Sequence, residues 1–222
     1  MKRTERLGEA IAPDGTVLTL YRHDGAYTIR VGSVELMSSR RHHSEDQLAE
    51  LVCAPLRQSK GARVLIGGLG LGFTLTAALR SLGADARLVV AELVPGVIEW
   101  NRNAEYNLAG SALSDSRVEL RREDVADVLV KSRGAFDAIM LDVDNGADAL
   151  TTAGNARLYR GVGIEMAAAA LRPKGRLAYW SAQADPAFEE SLRAAGFTVD
   201  VIKSRAHATS GGFYTLFVAR AD

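Results

Sequence analysis

The 222-residue chain contains a single cysteine, Cys53, so no disulfide bond can form within it. A protein without disulfides suits a reducing compartment, and we expect a cytoplasmic location. The sequence also lacks any apolar run as long as a membrane span. Its charged first six residues lack the apolar core of a signal peptide, so we expect neither a membrane anchor nor a leader.

An excess of either charge is missing as well. Lysine and arginine together number 27, as do aspartate and glutamate, which gives a formal net charge of zero. A balanced chain has no overall field that would recruit nucleic acid or an anionic membrane. We therefore expect the partner to be a small molecule, with no role for nucleic acid or a membrane.

Glycine, by contrast, is concentrated in one stretch, residues 63–75, which read RVLIGGLGLGFTL. A short apolar run, a glycine cluster and a helical pattern follow one another there. Such a corner lets the backbone approach a bound nucleotide closely. The dinucleotide-binding version requires a glycine where Phe73 stands. The spacing of Gly68, Gly70 and Gly72 instead resembles the first motif of class I S-adenosylmethionine-dependent transferases.

Strand and helix patterns alternate along the rest of the chain, which predicts a mostly parallel sheet with helices on both faces. The strand patterns lie at 87–92, 117–124, 136–142, 175–180, 197–204 and 214–219. The last two form a hairpin, which adds one antiparallel strand. We therefore expect an α/β fold, a Rossmann-like class I methyltransferase sheet, over residues 42–222.

A small β-meander is predicted in residues 1–41, ahead of this domain. Residues 17–22 and 26–31 alternate in polarity around the turn signal Asp24-Gly25. A meander of this size is not stable alone. We expect it to pack on the main domain or on a second copy of the chain, in a homodimer.

Two helix boundaries are also predicted. Ser44 and Gln47 have the spacing of a capping box, with Ser44 as the N-cap, and a second helix is expected over 95–107. His42 and His43 precede the cap with no pattern of metal ligands around them. We expect no metal site. A location of the two histidines near the substrate entrance is left open, as are contacts of substrate with these histidines or with Tyr159.

Acids end three of the predicted parallel strands. Ligands of open α/β sheets bind beyond the carboxyl ends of the strands, so the three carboxylates should face one crevice. Glu92 is expected to bind ribose hydroxyls, Asp124 an adenine amine, and Asp142 with Asp144 the reacting end of the ligands. The residues expected to contact the nucleoside cofactor are Gly67, Gly68, Gly70, Gly72, Glu92, Leu93, Asp124, Val125 and Asp142, and the expected catalytic pair is Asp142 and Asp144.

At these positions the chain resembles the spermidine synthase family of aminopropyltransferases, which share the class I methyltransferase fold and carry a small N-terminal β-domain. The resemblance extends over residues 41–219. Residues 67–72 stand at the family's GGGDGG motif, Glu92 at its ribose-binding acid, Asp124 at its adenine-binding acid, and residues 142–146 at its catalytic DSSDP loop. The resemblance implies a transferase whose cofactor is S-adenosylmethionine or its decarboxylated form.

Two departures from the family bear on the reaction. The aspartate of GGGDGG grips the aminopropyl ammonium in the family, and Gly70 takes its place here. S-adenosylmethionine carries a carboxylate at that end, which an aspartate would repel and a glycine does not. The loop at 142–146 reads DVDNG and lacks the family's proline and serines. We therefore favour methyl transfer to a small acceptor, an amine by preference. Aminopropyl transfer to a polyamine and a non-catalytic nucleoside-binding scaffold remain alternatives.

Overall fold

Two β-sheets organise the chain in a computed structural model, which describes residues 3–106, 108–143 and 155–221. The smaller sheet is an antiparallel meander with its strands in sequence order. Its strands are β1 (Glu5–Ile11), β2 (Val17–His23), β3 (Ala26–Val31) and β4 (Val34–Ser38). The predicted turn at Asp24-Gly25 is present, and both residues have positive φ. The prediction missed β1, in which Gly8 interrupts the alternation of side chains.

The larger sheet has seven strands in the order β10-β11-β9-β8-β5-β6-β7. They are β5 (Arg63–Gly67), β6 (Arg87–Ala91), β7 (Val118–Arg121), β8 (Phe136–Leu141), β9 (Leu171–Ser181), β10 (Phe197–Arg205) and β11 (Phe213–Ala221). Strands β5 to β9 pair in parallel, whereas β11 is antiparallel to both β9 and β10. The expected sheet, with its one antiparallel strand, is therefore confirmed.

Helices cover both faces of this sheet. They are α1 (His43–Cys53), α2 (Phe73–Ser81), α3 (Pro95–Arg102), α4 (Val125–Lys131), α5 (Gly161–Ala170) and α6 (Pro186–Ala194). Short 3-10 helices lie at Ala54–Leu56, Gly110–Ser114 and Asn155–Tyr159. Alternate side chains of β5 enter two apolar cores, Val64 and Ile66 one and Leu65 the other. Among the described helices, none has the length and apolar character to span a membrane.

Two predicted helix boundaries are wrong. The helix predicted over 95–107 ends at Arg102, because Asn103 leaves the helical conformation and its side chain accepts a hydrogen bond from the backbone N–H of Glu105. Asn107 lies outside the described residues. Ser44 is not an N-cap: α1 begins one residue earlier, and the Ser44 hydroxyl instead accepts a hydrogen bond from the indole N–H of Trp180 at 3.0 Å. A tertiary contact has taken the place of the local capping box.

The small sheet docks on the main domain, as expected. Leu18, Leu20 and Ile29 belong to the same apolar core as α1, α2 and α3. The backbone of α3 lies so close to β1 that a Cβ at Gly96 would come within 2.5 Å of the Ala10 Cβ. The absence of a side chain at Gly96 therefore lets the two parts meet.

Replacing Gly96 with alanine should lower the stability of the protein by about 1–3 kcal/mol, because the new methyl group must push β1 away from α3. Gly161 supplies a matched control, since it also lies in the first turn of a helix and a Cβ there would meet nothing within 4 Å. Thermal unfolding of both variants measures the difference. Equal melting temperatures would contradict the close docking.

Candidate active site

One cavity opens at the carboxyl ends of β5, β6 and β8, on the side covered by the small sheet. Its acidic lining residues are Glu45, Glu92, Glu123, Asp124 and Asp142. The small sheet contributes the apolar side chains Leu18, Ile29, Leu36 and Met37. Within the described parts of the chain, no lysine, arginine or histidine lines the cavity. The cavity is therefore acidic along the strand ends and apolar along the small sheet.

The glycine corner is built so closely that side chains are excluded. Gly68 has a φ of +90°, and a Cβ there would lie 2.3 Å from the backbone oxygen of Asp142. Gly70 has a φ of +52°, and its Cβ would lie 2.7 Å from the Met37 sulfur. Gly72 is the left-handed N-cap residue of α2. Positive φ favours glycine at all three positions, and at Gly68 the backbone of Asp142 also leaves no room for a side chain.

Glu92 ties the end of β6 to the glycine corner. Its side chain accepts hydrogen bonds from the backbone N–H groups of Leu69, at 2.9 Å, and Val94, at 2.8 Å. The residue is buried, and burial raises the pKa of its carboxyl group against the opposing effect of these hydrogen bonds. Glu92 also lines the cavity, so its carboxyl group faces the space that a ligand would occupy.

Asp124 caps α4, where its Oδ1 accepts from the N–H of Ala126 at 2.8 Å. Its Oδ2 accepts from the guanidinium of Arg157 at 2.7 Å. Arg157 belongs to the 3-10 helix that follows the segment 144–154. Asp124 lines the cavity as expected, but it also holds α4 and Arg157 in place.

Asp142 and Glu45 form a pair of carboxyl groups that both line the cavity. Asp142 follows β8 and accepts a hydrogen bond from the Thr74 hydroxyl at 2.7 Å. Glu45, on the first turn of α1, accepts from the Ser44 hydroxyl. Burial, and then the neighbouring Asp142, raise the pKa of Glu45 to about 8. Burial also raises the pKa of Asp142, although the Thr74 hydrogen bond opposes this shift.

Glu45 is one of the cavity residues that sequence reasoning missed, with Glu123, Trp180 and the apolar residues of the small sheet. The pattern around it was assigned to a helix cap, and nothing local distinguishes Glu45 from the other acids of α1. The neighbouring Ser44 accepts a hydrogen bond from Trp180, on β9, and Glu45 and Trp180 line the same cavity. A contact between residues so distant in sequence leaves no periodic signal.

The predicted cofactor-binding and catalytic residues divide into three groups. Gly68, Gly70, Glu92, Leu93, Asp124, Val125 and Asp142 line the cavity. Gly67 and Gly72 do not line it but are buried in the corner. Asp144, the second expected catalytic residue, lies outside the described residues.

The sequence left open whether His42, His43 or Tyr159 contacts substrate. In the structure His42 and Tyr159 contact other protein groups. The His42 ring stacks on Phe73 with centroids 4.2 Å apart, and its Nδ1 lies 2.9 Å from an oxygen of Asp46. The Tyr159 hydroxyl donates to the backbone oxygen of Trp180 at 3.0 Å. His42, His43 and Tyr159 are not among the described residues that line the cavity.

No protein-family model and no curated protein matches the chain, but solved structures do. The spermidine synthase of Thermotoga maritima has a TM-score of 0.74 and 17% identity, over 100% of this chain and 75% of that one. A spermidine synthase in complex with the transition state analogue AdoDATO has a TM-score of 0.73 and 16% identity, over 100% and 74%. The 1,6-didemethyltoxoflavin-N1-methyltransferase of Burkholderia thailandensis, with its bound substrate and S-adenosylhomocysteine, has a TM-score of 0.57 and 22% identity, over 81% and 80%. The expected spermidine synthase-like, class I methyltransferase fold is confirmed.

Proposed function

We propose that the protein is a transferase that takes an alkyl group from an S-adenosylmethionine-type sulfonium and passes it to a small amine. The proposal is carried by one arrangement: the glycine corner and the strand-end acids Glu92, Asp124 and Asp142 border a single cavity. Binding beyond the strand ends is the general rule for ligands of open α/β sheets. The fold is shared with proteins whose structures hold AdoDATO or S-adenosylhomocysteine.

The residues of the cavity suit such a nucleoside. Glu92 lines the cavity with a carboxyl group, whose oxygens are suitable acceptors for the ribose hydroxyls. Asp124 likewise has lone pairs left for an adenine amine. Gly68 and Gly70 present bare backbone to the cavity, so the amino-acid tail of the donor can approach closely.

A bound donor of this class supplies a sulfonium carbon, which a nucleophile attacks in line while the carbon–sulfur bond breaks. An acceptor amine with a pKa near 10 is protonated at neutral pH and must first lose that proton. We assign Asp142 as the group that orients the amine and accepts its proton, with Glu45 beside it. Asp144 remains the proposed second acid.

Methyl transfer is favoured by the surroundings of Gly70. An aspartate there would have to adopt the left-handed φ of +52° and displace the Met37 side chain. At Gly70 this chain therefore lacks the acid with which the aminopropyltransferases grip an ammonium tail. Glycine carries no charge, so it does not repel the carboxylate of S-adenosylmethionine.

Aminopropyl transfer is kept as a second candidate because of the cavity's charge. Its described lining carries five acids and no basic side chain that would pair with the carboxylate of S-adenosylmethionine. Decarboxylated S-adenosylmethionine has no carboxylate to neutralise.

We also propose that the protein is a cytoplasmic homodimer. The dimer is supported by three exposed apolar side chains on the small sheet, Ile11, Val17 and Val34.

Calorimetric titration with S-adenosylmethionine, its decarboxylated form and methylthioadenosine tests the proposal. We expect all three to bind, and S-adenosylmethionine to bind at least as tightly as the decarboxylated form. A strong preference for the decarboxylated form, with product formed from a polyamine, would establish the second candidate. If methylthioadenosine fails to bind, the nucleoside site itself is refuted.

A further inference from the structure

The acidic side chains of the cavity differ in their hydrogen-bond and ion-pair partners. Glu92 accepts from two backbone N–H groups, Glu123 is paired with Lys131, and Asp124 with Arg157. Glu45 and Asp142 have different partners, since each accepts a hydrogen bond from a hydroxyl, Ser44 and Thr74 respectively. Within the described residues, neither forms an ion pair with a lysine, arginine or histidine. A cationic group of a substrate could therefore pair with both of them.

The position of this pair is fixed from several directions. Ser44, beside Glu45, is buried and receives the indole N–H of Trp180, and Trp180 itself lines the cavity. Thr74, on the first turn of α2, is buried as well and holds Asp142. Two carboxyl groups held together at the edge of a cavity favour one positive charge between them, because their mutual repulsion is then relieved.

The opposite wall offers nothing to a second charge. The small sheet lines the cavity with Leu18, Ile29, Leu36 and Met37, all apolar. The Met37 thioether lies against the glycine corner, so this wall covers the place where the sulfonium end would lie. An ammonium against that wall would lose its water without gaining a partner, and burial of an unpaired charge is strongly unfavourable.

We propose that the acceptor is a monoamine with an apolar body, whose ammonium lies between Glu45 and Asp142 and whose body lies against the small sheet. This inference rests on the proposed function and narrows its substrate class. It gives Glu45 the role of a specificity-determining residue. A diamine of the same length would leave one ammonium on the apolar wall and should bind less well.

Hexylamine and 1,6-diaminohexane form a matched pair for the test, since they differ by one terminal ammonium. Each is titrated calorimetrically into the full chain saturated with methylthioadenosine. We expect hexylamine to bind at least tenfold more tightly than the diamine. Glu45→Gln should weaken hexylamine at least tenfold and leave methylthioadenosine unchanged. Glu50→Gln, an exposed acid on the same helix, should change neither.

A variant that adds a negative charge to the apolar wall tests the inference without changing Glu45. Leu36 is partly buried on the apolar wall, and Leu36→Glu should raise the affinity for the diamine relative to hexylamine. Tighter binding of the diamine to the unmodified protein would overturn the inference, as would Glu45→Gln binding hexylamine normally. If methylthioadenosine binds and neither amine does, the inference fails while the nucleoside half of the proposed function stands. If methylthioadenosine does not bind, both fail.

Discussion

Replacing Gly68 with alanine should unfold the protein at a much lower temperature than the unmodified chain. Gly68 has a φ of +90°, and its Cβ would lie 2.3 Å from the backbone oxygen of Asp142. Backbone strain costs about 1–2 kcal/mol and overpacking about 1–3 kcal/mol, so we expect a loss of about 2–5 kcal/mol. For a chain of this size the melting temperature should fall by about 4–20 °C. Nucleoside affinity should be lost as well, because the corner must open.

A variant at Gly196 separates the effect of backbone strain from that of overpacking. Its φ is +91°, nearly that of Gly68, but a Cβ there would meet nothing within 4 Å. Gly196→Ala should therefore show the backbone strain alone, about 1–2 kcal/mol. Thermal unfolding of the two variants, with methylthioadenosine titrated into each, measures the contrast. Similar losses at both positions would mean that a Cβ at Gly68 does not collide with the backbone of Asp142.

Glu92→Gln should weaken nucleoside binding by about 1.5–3 kcal/mol, the usual range for hydrogen bonds to a charged group. The change should also lower the melting temperature without ligand. Glu92 is buried and is the acceptor for the N–H groups of both Leu69 and Val94, whereas a glutamine amide has one acceptor oxygen. Calorimetry and thermal unfolding measure the two effects.

Glu123→Gln is the control for this prediction, because Glu123 also lines the cavity but is paired with Lys131. We expect the nucleoside affinity of Glu123→Gln to be nearly unchanged, because the Glu123 carboxylate is already paired with Lys131. Its stability should hardly change either, since a partly exposed ion pair contributes little. A Glu92→Gln protein that is destabilised but binds methylthioadenosine normally would make Glu92 a structural residue. The ribose assignment would then be wrong.

The sheet and its corner could be predicted because their chemistry is local. Positive φ at Gly68, Gly70 and Gly72 restricts the residue type, so the pattern of glycines records the turn directly. Buried parallel strands likewise require continuous apolar runs, which are visible in any window of the sequence. The acids Glu92 and Asp142 were found because they follow such runs immediately.

Features that depend on distant contacts could not be predicted. Ser44 has the spacing of a cap, yet its hydroxyl is used by Trp180, which is remote in sequence. Glu45, the next residue, lines the cavity together with Trp180, and no local pattern of the sequence marks it. The capping role of Asp124, by contrast, involves Ala126 two residues away, and such a local bond is within the reach of sequence reasoning.

The strand order has a consequence for how the chain acquires its structure during synthesis. The small sheet is made of successive hairpins, so it can pair as soon as its own residues are available. In the larger sheet β5 cannot pair with β8, where Val64 lies opposite Ala138, until β8 has been synthesised. Strand β11 is the last of all to be translated, yet it lies between β9 and β10. Until it is inserted, β9 has an open edge, and the growing chain is exposed to intermolecular strand pairing.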